Sequence, residues 1–194
     1  MNVGLYFGSF NPIHTGHLII ANHILNETKI QKVWFVVSPQ NPFKPSTTLL
    51  NEYDRLHLVQ KAIAGTDNFK ASDIEFSLLK PSYTAHTLAH LKDKYPANTF
   101  HIIMGSDSFQ NLPQWKNAGA IISNYPLLVY KRPGFDIIDD YGAQLQVMQA
   151  PLLEISATHI RELVQQGKSI KYLVPESVED EINTNRFFKK IQSK

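Results

Sequence analysis

The sequence predicts a doubly wound α/β domain, built on a mostly parallel sheet and ending in a small helical C-terminal portion. Short runs rich in β-branched and aromatic residues alternate with helical patterns along the chain of 194 residues, as right-handed strand–helix–strand crossovers require. Several of these runs are solidly apolar, which is typical of strands covered on both faces. Because no linker divides the chain, residues 1–194 are expected to form a single domain.

Six runs are predicted as strands, and apolar residues at helical spacing predict the helices between them. The predicted strands are Val3–Phe7, Val33–Val37, Phe69–Ala71, Thr99–Met104, Leu127–Tyr130 and Leu152–Glu154. The predicted helices are His17–Glu27, Glu52–Ala64, Thr84–Lys94, Thr158–Gln166 and a last helix from Pro175 to about Phe188. Asn51 is expected to cap the second helix and Gly167 to end the fourth. Residues 38–50 contain three prolines, and are predicted as a loop over the carboxyl edge of the sheet.

The composition excludes several classes of protein. The chain has no cysteine, so disulfides and thiolate metal sites are excluded, and the lack fits a reducing, cytoplasmic location. No signal peptide is recognised at the start, and no stretch approaches the roughly 18 uninterrupted apolar residues of a membrane span. A net charge of +2, with dispersed basic residues, is too small to indicate a nucleic-acid-binding surface.

Residues 8–17, GSFNPIHTGH, lie between the first predicted strand and the first predicted helix. Small residues permit a tight turn with exposed amides, and Pro12 delays the helix to about Gly16, so loop amides and a helix N-terminus meet at an anion site. Gly16 lets a phosphate approach the backbone, and His14 and His17 can add N–H donors. Two histidines without a neighbouring carboxylate or thiolate make an incomplete metal site, so no protein metal site is predicted.

Residues 155–161, ISATHIR, repeat this arrangement. A strand is expected to end at Ile155, Ser156 or Thr158 can cap the following helix, and the free amides and Arg161 can face a phosphate chain. Taken alone, the segment is better explained as a capped surface helix with an exposed arginine, since such caps are common. The two segments lie about 140 residues apart in the chain.

The two segments resemble the phosphate-binding signatures of the nucleotidylyltransferase superfamily. HTGH matches its (T/H)xGH motif, and ISATHIR matches its ISxTxIR motif. Class I aminoacyl-tRNA synthetases share a related histidine motif, but their lysine-rich KMSKS-like loop is not found. Three further stretches resemble bacterial nicotinate mononucleotide adenylyltransferases: PSYTAHTL at 81–88, GSDS at 105–108 with the following Trp115–Lys116, and SPQNPFKP at 38–45. The resemblance covers most of the chain and implies a Rossmann-like nucleotidylyltransferase fold.

The resemblance implies a role for each motif residue. The groups implied to contact the ATP triphosphate, as the catalytic residues, are His14, His17, Lys44 and Arg161. Gly8, Ser9 and Phe10 are implied to bind ATP through backbone donors, and Gly16 is implied to bind ATP as well. Gly105 and Asp107 are implied to hold the ribose or adjoining groups, and Ser156 and Thr158 to bind phosphate or adenine. Those implied to bind the acceptor are Trp115, stacked on a pyridine ring, and Thr84 with the backbone near Lys116, at its carboxylate. The alternative for Trp115 is a buried core anchor. For Asp107 it is an N-cap of the next helix, which is compatible with the implied role.

The implied reaction is transfer of AMP from ATP to nicotinate mononucleotide, without a covalent intermediate and with Mg²⁺ held mainly by ATP phosphates and water. The alternatives are an acceptor such as nicotinamide mononucleotide or phosphopantetheine, or a non-catalytic nucleotide sensor on the same fold. The expected partners are small molecules, with no nucleic acid and no membrane. Two departures from the family pattern affect the first loop: Asn11 stands where Asp is frequent, and Phe7 where a second glycine is common.

Overall fold

The first and fourth strands of the chain are neighbours at the centre of a parallel sheet. A computed structural model describes residues 1–40, 49–151 and 153–189. The strands within these ranges are β1 (Asn2–Gly8), β2 (Lys32–Val37), β3 (Phe69–Ser72), β4 (Thr99–Gly105), β5 (Leu127–Tyr130) and β6 (Leu145–Met148). They form one sheet of order β3-β2-β1-β4-β5-β6, in which each neighbouring pair is parallel. The predicted doubly wound sheet is confirmed.

Helices flank the sheet on both sides. Those that the structure describes are α1 (Thr15–Glu27), α2 (Glu52–Ala62), α3 (Thr84–Lys94), α4 (Ser106–Gln110), α5 (Ala118–Asn124), α6 (Ala157–Gln165) and α7 (Glu176–Thr184), with 3₁₀ turns at Ile74–Ser77 and Leu112–Gln114. Asn51 accepts the Tyr53 amide hydrogen at 2.9 Å and caps α2 as predicted. Gly167, at φ +67°, follows α6. Among these helices, none has the length and apolarity needed to cross a membrane.

Each face of the sheet has its own hydrophobic core within the described residues. Side chains alternate along a strand, so Trp34 enters one core and the neighbouring Phe35 enters the other. One core packs against α1, α2, α6 and α7, and the other against α3, α4 and α5. Burial on both faces explains why the central strands are solidly apolar in sequence.

The predicted sixth strand at Leu152–Glu154 is wrong. Residues 153 and 154 lie in no strand, residue 152 lies outside the described ranges, and the strand expected to end at Ile155 is likewise not formed. The sixth strand is β6, at the edge of the sheet, where Val147 is 41% exposed. An edge strand needs no solid apolar run, so β6 was not recognised. The stretch around Leu153 is more apolar and suggested a strand, but Leu153 is 51% exposed.

Several helices also differ from prediction. The short helices α4 and α5 were not predicted, because elements of 5 and 7 residues show too little periodicity. Helix α1 begins at Thr15, two residues before the predicted His17. Helix α7 ends at Thr184 instead of continuing to Phe188, since Arg186 and Phe188 adopt positive φ angles of 55° and 62°.

The sheet order reverses between β1 and β4. The chain leaves β1 towards β2 on one side and leaves β4 towards β5 on the other, which opens a crevice at the carboxyl ends of these two strands. Gly8 and Gly105 are the last residues of β1 and β4. The motifs that follow these glycines therefore meet at the topological switch point, where ligands bind in such sheets.

Candidate active site

The loop after β1 is shaped by a close contact between Gly8 and Phe10. Phe10 has a φ of 44°, and its buried ring would lie 2.9 Å from a Cβ placed on Gly8. A side chain at Gly8 would therefore displace the ring. The Phe10 ring packs against Tyr6 and Phe35 at centroid distances of 5.9 and 5.6 Å. The side chain thus anchors the loop in the core, and its backbone remains the part available to a ligand.

The two histidines form a stacked pair at the start of α1. Their ring centroids are 3.6 Å apart, with 27° between the planes. The backbone amide of His14 donates to Nδ1 of His17 at 3.2 Å. Because Nδ1 accepts, the proton of a neutral His17 ring lies on Nε2, which can donate to an anion.

Burial makes His14 a neutral donor instead of a charge. Its side chain is 6% exposed, and burial, followed by the positive charge of Arg132, lowers its pKa to about 4. At neutral pH the ring carries one N–H and no net charge. The pair therefore contributes directed N–H groups to the predicted phosphate site.

The second predicted segment meets the first. Nη1 of Arg161 donates to the carbonyl oxygen of Asn11 at 2.8 Å, and Nη2 donates to Oγ1 of Thr158 at 3.2 Å. Ser156, not Thr158, caps α6, since its hydroxyl accepts the His159 amide hydrogen at 3.1 Å. The helix start and guanidinium of ISATHIR thus face the loop of GSFNPIHTGH.

Gly16 lies between the His14 ring and the start of the second segment. A Cβ placed on it would be 3.2 Å from the His14 ring and 4.0 Å from the side chain of Ile155. Glycine therefore leaves room for a ligand atom between the two helix starts. In the first segment, the Ser9 hydroxyl is buried and has no hydrogen-bond partner among the described residues. Buried polar groups are normally hydrogen-bonded, so this hydroxyl is a candidate to bond a ligand.

Arg132, which the sequence reasoning did not select, extends this positive region to β4 and β5. Its Nη1 lies 3.1 Å from Oδ2 of Asp107, and its backbone amide donates to the Ser106 hydroxyl at 2.9 Å. Asp107 is the second residue of α4, whose N-cap is Gly105. A side chain on Gly105 would collide with the Asp107 carboxylate. Arg132 could have been selected from the sequence, because it is a basic residue just beyond a predicted strand and therefore lies at the carboxyl edge of the sheet.

Two tyrosines form the floor beneath this region. The hydroxyls of Tyr6 and Tyr130 lie 3.2 Å apart, and the Tyr6 ring meets the His17 ring edge-on at 5.9 Å. Burial raises the pKa of both tyrosines, so both hydroxyls stay protonated at neutral pH. They add hydrogen-bonding groups without adding negative charge.

The predicted acceptor residues lie at the same edge of the sheet. Thr84 is the first residue of α3, with Tyr83 as its N-cap. Nζ of Lys116 lies 4.4 Å from the centre of the Tyr83 ring, so the PSYT and Trp-Lys segments are neighbours. Trp115 is half-buried and packs against the core on this face. Trp115 thus anchors the core, as the alternative prediction had it, while part of its ring stays exposed.

Lys44 lies outside the described residues, so its predicted triphosphate contact stays a prediction. Across the described ranges, no three His, Asp or Glu side chains are grouped so that they could hold a metal ion.

The fold and the paired anion-binding turns define a nucleotide-binding domain of the nucleotidyltransferase class. The model of the cytidylyltransferase-like family matches residues 5–163. A relative from Cytophaga hutchinsonii, named as a probable nicotinate-nucleotide adenylyltransferase, is 50% identical over 191 residues, covering 97% of this chain and 98% of the relative. One of the same name from Flavobacterium psychrophilum is 47% identical over 193 residues, covering 98% and 100%.

The chain therefore belongs to the cytidylyltransferase-like family and, within it, to the nicotinate-nucleotide adenylyltransferases, which confirms the resemblance seen in its motifs. The fold is shared with a nicotinic acid mononucleotide adenylyltransferase from Plasmodium falciparum complexed with NaAD, at a TM-score of 0.81 and 21% identity, covering 96% of this chain and 97% of that one. A second structure of that protein, complexed with APC, gives a TM-score of 0.80, again at 21% identity and with 96% of each chain covered.

Proposed function

We propose that the chain transfers AMP from ATP to nicotinate mononucleotide, giving nicotinate adenine dinucleotide and pyrophosphate for NAD biosynthesis. The observation that carries the proposal is the contact of Arg161 with the Asn11 carbonyl at 2.8 Å, which joins the two anion-binding turns into one site. The names of the relatives support the acceptor, as does the NaAD bound to the Plasmodium falciparum protein of the same fold.

The reaction is a single in-line displacement. A phosphate oxygen of the mononucleotide forms a bond to the α-phosphorus of ATP as the bond from that phosphorus to the β-phosphate bridging oxygen breaks, and pyrophosphate leaves with its electron pair. The attacking oxygen is already an anion, so no strong general base is required. A neutral His14, whose pKa is about 4, suits this chemistry because it donates a hydrogen bond and does not take a proton.

Catalysis comes from orientation and from stabilising charge that develops on the phosphates. The residues proposed to contact the triphosphate are His14, His17, Lys44 and Arg161. Backbone donors from Gly8, Ser9 and Phe10 and the space above Gly16 complete the phosphate site. The remaining ATP contacts are proposed for Gly105, Asp107, Ser156 and Thr158, and the acceptor contacts for Thr84, Trp115 and Lys116.

ATP is the co-substrate, and Mg²⁺ is proposed to bind mainly through its phosphate oxygens and water, where it neutralises part of their charge. We place the reaction in the cytoplasm, where ATP is abundant, and cell fractionation tests this location. Residues 1–194 are proposed to act as one domain, because helices from the last third of the chain pack on the same core as α1.

Pyrophosphate release with ATP and a panel of acceptors tests the proposed function. Nicotinate mononucleotide is expected to give the highest kcat/KM, above nicotinamide mononucleotide and phosphopantetheine. A preference for either of the other acceptors would reassign the substrate. ATP binding without release from any acceptor would instead favour a nucleotide sensor.

A further inference from the structure

Two buried tyrosine hydroxyls meet across β4. Tyr6 of β1 and Tyr130 of β5 are 4% and 6% exposed, and their hydroxyl oxygens lie 3.2 Å apart, so one donates to the other. Among the residues that the structure describes, neither hydroxyl has a second hydrogen-bond partner. Strand β4 lies between β1 and β5 in the sheet. The hydrogen bond therefore joins two strands that are not paired with each other.

Gly105, the last residue of β4, leaves space for one of the two rings. Gly105 is paired with Tyr130 in the sheet, and a Cβ placed on it would lie 3.2 Å from Cε2 of the Tyr130 ring. A side chain at this position would press on the ring. The glycine thus allows Tyr130 to reach across the end of β4 towards Tyr6.

Tyr6 borders the histidine pair of the proposed phosphate site. Its ring meets the His17 ring edge-on, with 5.9 Å between the centroids and 71° between the planes. The ring of Phe10, which anchors the phosphate loop, lies at the same centroid distance and at 90°. Edge-on contacts between rings favour particular orientations. The position of Tyr6 therefore constrains the position of His17.

Tyr130 borders the other side of the proposed ATP site. Besides touching Gly105, its ring centre lies 5.9 Å from the guanidinium carbon of Arg132. Arg132 in turn forms an ion pair with Asp107 at 3.1 Å. Gly105 and Asp107 belong to the start of α4. Tyr130 therefore lies against the elements proposed to bind the ribose.

We infer that Tyr6 and Tyr130 are a positioning pair, whose hydroxyl–hydroxyl bond fixes His17 relative to the start of α4. The inference rests on the proposed function, which assigns His17 to the ATP phosphates and the start of α4 to the ribose. Phenylalanine would fill nearly the same space, so the hydroxyls contribute the narrow distance and angle of a hydrogen bond. In-line transfer is sensitive to such placement, since a displacement of about 1 Å costs up to about a hundredfold in rate.

The test separates rate from stability with three variants. Tyr6→Phe and Tyr130→Phe each leave the remaining hydroxyl buried without a partner, so each should lower the melting temperature. Each should also lower kcat about threefold to tenfold, the effect of one lost hydrogen bond. The double variant leaves no unpaired hydroxyl and should regain a melting temperature near wild type, but its kcat should stay as low as that of the single variants. KM for nicotinate mononucleotide should not change, because neither tyrosine belongs to the proposed acceptor site.

Two controls match these variants. Val178→Ala opens space in the same core, where Val178 is fully buried on α7, and should lower the melting temperature without lowering kcat. Tyr95→Phe removes the hydroxyl of a half-buried tyrosine that packs on Trp34 in the other core, and should leave kcat at the wild-type value.

The double variant decides the matter, even where a single variant does not fold. If its kcat recovers together with its stability, the hydroxyl pair has only a structural role and the inference is wrong. Wild-type kcat in the two single variants would contradict it equally. A wild-type chain that forms no dinucleotide would instead refute the proposed function, so the two failures are distinguishable.

Discussion

The phosphate side and the acceptor side of the site differ in how firmly the fold holds them. On the phosphate side, His14 and His17 stack on each other, and the Arg161 contact with the Asn11 carbonyl joins two segments that are far apart in sequence. On the acceptor side, Thr84 and Trp115 are half-buried, and their segments meet through the Lys116–Tyr83 contact at 4.4 Å. The fold thus holds the proposed phosphate site in place in advance, whereas the proposed choice of acceptor depends on a few side chains.

The largest effect is expected on the phosphate side. His17→Ala removes the donor that stacks on His14, and kcat should fall by roughly a hundredfold to a thousandfold, as for loss of one transition-state donor. Pyrophosphate release measures the rate, and circular dichroism should show an intact fold. His23→Ala, a half-buried histidine on the same helix, is the matched control and should turn over normally. Near-normal turnover of His17→Ala would remove the phosphate-clamp role.

Arg161→Lys should have the next largest effect. Lysine keeps the positive charge but cannot bond both the Asn11 carbonyl and Thr158 in the planar arrangement of a guanidinium. We expect kcat to fall by about tenfold to a hundredfold. Arg186→Lys, at an exposed arginine, should leave the rate unchanged. Equal rates for the two variants would show that charge alone, without geometry, suffices at Arg161.

The acceptor side should respond through KM. Trp115→Ala removes the proposed stacking surface, which is worth on the order of 1 kcal/mol, so KM for nicotinate mononucleotide should rise about fivefold. KM for ATP, measured in the same assay, serves as the internal control and should stay near wild type. A comparable rise in both values would assign Trp115 to the core and not to the pyridine ring.

The smallest effect concerns stability and pH. Because the pKa of His14 is lowered to about 4 from an unfolded value of about 6.5, the unfolded chain binds a proton between these values that the folded chain does not. Stability from this group is complete above about pH 6.5 and is lost as pH falls. Between about pH 7 and about pH 5.5, urea unfolding should show about 1 kcal/mol more loss for wild type than for His14→Asn. Equal losses would mean that the fold does not lower the pKa of His14.

The sequence predicted the two sides of the site unequally. Motifs located both proposed phosphate-binding turns, because the strand, glycine-rich turn and helix start of the first, and the capped helix start of the second, are local features. The roles of Thr84 and Trp115 came from the family resemblance. Arg132 was missed because its contact with Asp107 joins segments after two different strands. The hydroxyl pair of Tyr6 and Tyr130 joins strands that are not neighbours in the sheet, so no local pattern reveals it.

The fold was predictable to the extent that burial shows in the sequence. Strands β1 and β2, covered on both faces, appeared as solid apolar runs. Strand β6 did not, because its outer position leaves part of it exposed. The exposed Leu153 then suggested a strand that the fold does not form. Short helices such as α4 span little more than one turn, so hydrophobic spacing cannot reveal them.

The proposed reaction is direct transfer of AMP at the proposed phosphate site, with nicotinate mononucleotide as the acceptor. The most direct measurement is the stereochemical course of dinucleotide formation from ATP made chiral at the α-phosphorus by sulfur substitution. A single in-line displacement predicts inversion at that phosphorus in the dinucleotide product, with one pyrophosphate released per dinucleotide. Retention would reveal two displacements through an adenylylated protein and would contradict the claim.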